Sequence, residues 1–273
     1  MQYVNCQGRS IPALGFGTFQ LPGDPCRRGV RHALSIGYRH VDTAQGYDNE
    51  AEVGAGLSDA GIPRDEVFVT TKLRPSNLTP ELVRSSTIQS LEKLGTDHVD
   101  LLLIHWPSRE VPLAETLGAM NELVEQGLIG APGLSNFTPS LVKQAVPQAA
   151  VLANQVEYHP YLSQDALIEL AREHDHMLTA YSPLARGRVI DDPVIAEIAG
   201  SHGATTGQVT LAWLLAQDQV VPIPKATSPD RIEENFGALD LKLEPDEISA
   251  IDALDEGNDG RVINPESAPD WER

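Results

Sequence analysis

Asp42, Tyr47, Lys72 and His105 are the residues of this sequence whose types and positions could together carry proton chemistry. Asp42, Lys72 and His105 each close a short apolar run, and Tyr47 follows Asp42 across a chain break at Gly46. In a barrel of alternating strands and helices, the ends of successive strands form one rim, where catalytic groups gather. A lone tyrosine is a poor acid near neutral pH, because its ordinary pKa is about 10. A lysine ammonium beside its oxygen stabilises the phenolate and lowers that value. A carboxylate holds such a lysine in place and charged, and a neighbouring histidine orients a carbonyl oxygen. The set can deliver one proton to a developing alkoxide. Taken singly, each residue has a plainer role: a helix cap or ion-pair aspartate, a packing tyrosine, a solvated lysine, a satisfied core histidine. Only their joint placement at one rim favours chemistry.

The elements that must position them alternate regularly. Residues 3–12 read as a hairpin turning at Gln7-Gly8-Arg9. Residues 11–18 read as a buried strand ending in glycines, and further strands are expected at 39–42, 66–72, 100–105, 131–134, 151–155, 177–181 and 220–223. Between Asp100 and His105 the run Leu101 to Ile104 is continuously apolar, which implies burial on both faces. Helix patterns cover 26–36, 50–60, 79–94, 113–126, 164–174, 192–202, 209–216, 229–239 and 245–254, with another opening at Thr138-Pro139. Asn49-x-x-Glu52 has capping-box spacing, and Pro80 suits a first helical position. Pro132 would cost the fifth barrel strand a ladder N–H, which leaves the limits of that strand open. Periodicity alone does not separate a barrel from an open sheet. The βα alternation, the length and the lack of a G-x-G-x-x-G turn favour an α/β chain folded as a (β/α)8 TIM barrel. An N-terminal β-hairpin and extra C-terminal helices complete it, as one domain over 1–273.

Acidic residues outnumber basic ones 39 to 20, for a net charge of −19, and only five of the basic residues are lysines. Nucleic acid and anionic membranes demand positive patches, so neither is an expected partner. A salt-rich cytoplasm would screen the self-repulsion and suit this acidic surface, as in a halophilic protein; an ordinary acidic protein is the alternative. No run approaches the roughly 18 apolar residues needed to span a bilayer. Polar residues follow Met1 with no signal-peptide pattern, so a cytoplasmic protein is expected. Cys6 and Cys26 have no disulfide or metal spacing and read as two reduced thiols.

Several motifs carry a resemblance. Val41-Asp42-Thr43-Ala44-x-x-Tyr47, Thr71-Lys72-Leu73, Leu103-Ile104-His105-Trp106-Pro107 and Gly133-Leu134-Ser135-Asn136-Phe137 form one set. Asn154-Gln155-Val156-Glu157-Tyr158-His159-Pro160 and Ile223-Pro224-Lys225, with Arg231 and Glu234-Asn235, complete it. Spread over nearly the whole chain, they resemble the aldo-keto reductases. The short loop after Trp106 is similar to that of the compact prokaryotic members, among them 2,5-diketo-gluconate and methylglyoxal reductases. The resemblance implies an NADPH-dependent enzyme that passes hydride from the nicotinamide to an aldehyde or ketone, bound without a Rossmann turn. It implies Tyr47 as general acid, Lys72 and Asp42 as its tuning pair, and His105 as the carbonyl-orienting group. Ser135, Asn136 and Gln155 would hold the carboxamide, and Tyr181 would stack on the nicotinamide. Gly17 and Thr18 join the cofactor set. Ser182, Leu184 and Gly187 lie in the loop that would cover the pyrophosphate. Lys225, Ser228 and Arg231 would take the 2′-phosphate, and Glu234 and Asn235 the adenine. Phe19 and Trp106 would wall the substrate slot, with the tail around Trp271 reaching over it.

A cationic pair at 225 and 231 near a helix start fits a dianion, which favours NADPH over NADH. Ala226 departs from the family's usual serine, removing one hydroxyl contact. A zinc hydrolase barrel would need a third strand-end ligand, and none is found near Asp42 and His105. A barrel that binds NADPH as a regulatory sensor with little turnover is the other alternative. A small carbonyl substrate and a monomeric state are expected.

Overall fold

The computed structural model of the chain describes residues 1–272. Gln7 and Gly8 both take positive φ (49° and 72°), which makes the tight turn that matches strand twist in a hairpin. They join β1 (Tyr3–Cys6) to β2 (Arg9–Pro12), with Cys6 paired to Arg9. Eight parallel strands follow in sequential order: β3 (Phe16–Gly17), β4 (His40–Asp42), β5 (Phe68–Leu73), β6 (Val99–Ile104), β7 (Ile129–Ser135), β8 (Ala153–Glu157), β9 (Met177–Tyr181) and β10 (Val220–Pro222). Gly15 N–H donates to Pro222 O at 3.0 Å and Gly17 N–H to Pro224 O at 3.1 Å, which joins the first strand to the last. A Cβ on Gly17 would sit 2.7 Å from Ile223 O, so only glycine permits this approach. The fold is a (β/α)8 barrel.

Helices α1 (Asp24–Ile36), α2 (Glu50–Ala60), α3 (Pro80–Leu94), α4 (Leu113–Glu125), α5 (Pro139–Ala145), α6 (Asp165–Glu173) and α7 (Pro193–His202) surround the barrel. So do α8 (Thr206–Leu215), α9 (Pro229–Phe236) and α10 (Pro245–Asp252). Cys6 and Ile11 of the hairpin pack with Leu101, Leu103, Ala131, Leu152, Met177 and Val221 in one buried cluster. The hairpin therefore plugs the N-terminal end of the barrel and leaves the C-terminal rim open. Both cysteines are free and buried, and burial pushes their thiols up to about 11 for Cys6 and about 12 for Cys26. Among the described residues no helix is long and apolar enough to cross a membrane.

Two local expectations need correcting, and one open limit is closed. Residues 11–18 are not one strand: Ile11 and Pro12 belong to the hairpin, and only Phe16–Gly17 joins the barrel. Asn49 does start α2, but its side chain makes no cap hydrogen bond. Tertiary partners claim it instead. Pro132 lies inside β7 beside Leu102, and its carbonyl still accepts from Leu152 N–H at 3.0 Å, so one missing donor is tolerated.

Candidate active site

Tyr47 is lifted to the rim by a 3-10 turn, Gln45–Tyr47, which follows β4 directly. The turn is pinned from both sides. Arg74 donates from Nε and Nη2 to Gln45 O at 3.0 and 2.7 Å, and pairs with Asp48. The buried Gln45 side chain accepts from Arg74 N–H and Asn77 and donates to Ser90. On the other side, buried Asn49 accepts from Thr43 Oγ1 at 2.9 Å and donates to Thr18 O and Leu21 O. This network fixes the turn that carries Tyr47 and explains why Asn49 is not free to cap α2.

Strand alternation turns Lys72 inward and Thr71 outward, where Thr71 donates to buried Glu50. Lys72 Nζ lies 2.5 Å from Asp42 Oδ1, 2.7 Å from Thr43 O and 3.3 Å from Tyr47 OH. The first two atoms can only accept, so each takes one N–H. An ammonium has a third to give to Tyr47, and the tyrosine then keeps its own proton for another acceptor. Gln155 Nε2 donates to the second Asp42 oxygen at 2.7 Å. Burial pulls Lys72 down from the usual lysine value, and the Asp42 carboxylate works against it.

The expected lowering of Tyr47 by Lys72 is not found. Burial first, and Asp42 second, hold the hydroxyl well above the ordinary phenol value. Asp42 cancels much of the Lys72 charge, so the pair does not act on Tyr47 as a bare cation. The tyrosine is thus fully protonated at neutral pH, the state an acid needs. The His105 ring packs edge-on to Tyr47, with centroids 5.7 Å apart. Burial, then Lys72, lower His105 to about 3, so the imidazole is neutral and has one N–H to offer.

These groups open on a cavity of about 960 Å³. Asp42, Tyr47 and His105 line it with Gly17, Phe19, Trp106, Ser135, Asn136, Gln155, Tyr181, Ser182, Leu184, Gly187, Lys225, Arg231, Glu234 and Asn235. Three expected residues do not. Lys72 is fully buried behind Asp42 and Tyr47. Thr18 is buried in the wall, where its N–H and Oγ1 both donate to Asp42 O. Ser228 begins α9 outside the lining. The amides are already engaged: Tyr181 OH donates to Asn136 Oδ1 at 2.8 Å, and Asn136 Nδ2 donates to His105 O at 2.9 Å. Asn136 takes φ 63°, a left-handed conformation that asparagine tolerates.

The family profile described as the aldo/keto reductase family matches residues 13–256. The chain belongs to the aldo/keto reductase family. It is 42% identical over 269 residues to a protein named methylglyoxal reductase DkgB from Escherichia coli O157:H7, covering 96% of this chain and all of that one. An aldo-keto reductase of Mycolicibacterium smegmatis is 38% identical over 94% of the chain and 96% of its own length. A solved structure described as a putative 2,5-diketo-D-gluconic acid reductase B superposes with a TM-score of 0.97 at 44% identity, over 100% of this chain and 98% of that one.

This aldo/keto reductase has cavity residues that its sequence did not reveal. Thr205, Thr206 and Gly207 line it because α8 begins earlier than the hydrophobic pattern indicates. The signal was readable: Thr205-x-x-Gln208 is a capping box, and both of its hydrogen bonds form. Arg186, Val189, Ile190 and Ile263 also line the cavity. Ser182, Ala185 and Arg186 all take positive φ, backbone strain of the kind kept at ligand loops. Arg188 ties this loop to Glu256 and stacks 3.8 Å over the Tyr161 ring. The donor set fits an anionic dinucleotide. Lys225 and Arg231 line the cavity without a carboxylate partner among the described residues, although the chain carries a charge of −19. Among the described residues no cluster of three or more His, Cys, Asp or Glu side chains could hold a metal.

Proposed function

We propose that this chain is an NADPH-dependent carbonyl reductase acting as a single-domain monomer on small aldehydes and ketones. Small dicarbonyls and keto-sugars are the favoured substrates, by analogy with the names of the relatives. One observation carries the reading. Lys72 spends its donors on Asp42, Thr43 and Tyr47, which leaves the Tyr47 proton free to be given into the cavity. A reduced nicotinamide held in that cavity would supply hydride to the carbonyl carbon. Tyr47 gives its proton to the carbonyl oxygen, and Lys72 stabilises the phenolate left behind. Neutral His105 donates its N–H to the same oxygen and orients it. Asp42 holds Lys72, and Gln155 holds Asp42. Ser135, Asn136 and Gln155 offer polar groups to a carboxamide, and Tyr181 offers a ring face to the nicotinamide. Lys225 and Arg231 offer charge to a 2′-phosphate, with the α8 N-terminus nearby as a further anion-favouring element.

The test is loss of reduced-nicotinamide absorbance with a carbonyl panel that includes methylglyoxal, with NADPH and NADH compared. Tyr47→Phe should lower kcat by about 10²–10⁴, the usual contribution of a general acid. Tight NADPH binding with no turnover on any carbonyl would favour the regulatory barrel instead.

A further inference from the structure

Glu157, the last residue of β8, is 0% exposed. A buried carboxylate is costly unless its lone pairs are filled. Its Oε1 accepts from Val262 N–H at 2.7 Å and lies 2.9 Å from His159 Nε2, and its Oε2 accepts from Ile263 N–H at 2.9 Å. Two of these donors are backbone amides of the C-terminal tail, more than 100 residues further along the chain. Arg261, 3.9 Å from Oε2, is the nearby cation. Its side chain is 6% exposed, and Nε and Nη1 have no hydrogen-bond partner. The guanidinium lies 3.7 Å from the centre of the Trp271 ring, and Trp271 meets the Trp106 ring edge-on at 6.3 Å. Glu272 then fastens the far end, accepting from Thr138 Oγ1 at 2.8 Å and Ser140 N–H at 3.0 Å. The segment from Arg261 to Glu272 is therefore a strap held at both ends. Ile263 and Trp106 both line the cavity.

We propose that Glu157 is a positioning residue for substrate selection, clamping the backbone of Val262 and Ile263 so that the strap backs Trp106 and limits the size of carbonyl admitted. The proposal rests on the reductase reading above. Glu157 has no place in proton delivery and acts only through the strap. A carboxylate suits the task better than an amide would. It accepts both adjacent N–H groups, one on each oxygen, which fixes the direction of the tail as well as its position.

The experiment compares Glu157→Gln, Glu157→Asp and Trp271→Ala in the full chain. Amide hydrogen exchange over 257–272, NADPH affinity by calorimetry, and KM and kcat for methylglyoxal and for a bulky aromatic aldehyde are measured. In Glu157→Gln, exchange protection at Val262 and Ile263 should fall about tenfold or more, since charge-assisted bonds to both amides weaken. KM for methylglyoxal should rise about tenfold and preference should move towards the bulky aldehyde, with NADPH affinity within about twofold of wild type. Glu157→Asp should restore part of the protection and of the preference. Trp271→Ala should reproduce the shift in preference without disturbing Glu157, and it carries the test if the Glu157 variants do not fold. Protection lost with KM and preference unmoved would overturn the proposal. So would a parallel loss of NADPH affinity and kcat, the mark of general damage. Absence of turnover by the wild type would sink the reductase reading itself.

Discussion

Lys72→Met removes the ammonium while keeping much of the side-chain volume. Tyr47 OH lies 3.3 Å from Nζ. A full phenolate at that distance would gain at most about 5 kcal/mol from the ammonium at an effective dielectric of about 20. Half-developed charge, opposed by Asp42 on the other side of the lysine, leaves about 2 kcal/mol, or a loss of about 30-fold in kcat. The variant also leaves Asp42 buried with only Gln155 as a side-chain partner, and breaking a buried pair this way costs about 3–5 kcal/mol of stability. The double variant Lys72→Met/Asp42→Asn separates the two effects. It should recover much of the stability, because no charge is stranded, and recover none of the rate. Steady-state reduction followed by nicotinamide absorbance, alongside urea unfolding of each variant, reads both quantities. A single variant within about threefold of wild-type kcat would refute the reasoning, because the general-acid account requires a larger loss. So would a double variant that regains the rate.

Arg231→Ala should raise KM for NADPH about ten- to a hundredfold and leave KM for NADH unchanged, the cost of a charge-assisted contact; equal effects on both cofactors would count against a 2′-phosphate site. Burial holds His40 and His176 down to about 4. Between about pH 6.5 and 4 the unfolded chain binds protons that the folded chain refuses, so stability is full above this window and falls as pH drops through it. Each histidine contributes on the order of 3 kcal/mol by pH 4. Urea midpoints across that range should slope down with acid, less steeply in His176→Phe, and an unchanged slope in that variant would refute its share. Molar KCl, with a Debye length of about 3 Å, should raise Tm by screening the repulsion among 39 acidic groups; an unmoved Tm would return the chain to ordinary acidic proteins.

The alternation of strands and helices was legible because it is local. Glycines at 37, 61 and 95 do end helices, and Pro80 and Pro139 do open them. Asp42, Lys72 and His105 could be placed on one rim because each stands within one residue of the end of a parallel strand: Asp42 ends β4, Lys72 is next to last in β5, and His105 follows β6. Chain spacing cannot say which partner wins a side chain. Asn49 had the spacing of a helix cap, yet Thr43, Thr18 and Leu21 take it, since burial leaves it no choice but to satisfy the nearest polar backbone. Thr18 looked like a cofactor contact and is wall. Residues 11–18 read as one strand because they form one mostly apolar run, and only the meeting of β3 with β10 shows where the barrel takes over from the hairpin. The sign of the Tyr47 shift was also beyond the sequence, because it depends on burial and on how closely Asp42 neutralises Lys72. The sequence alone determined the order of elements and the types of group at the rim, which follow from period, caps and strand ends. Tertiary structure alone decided hydrogen-bond partners, protonation and the strap from Arg261 to Glu272, because these arise from contacts between residues tens to hundreds of positions apart.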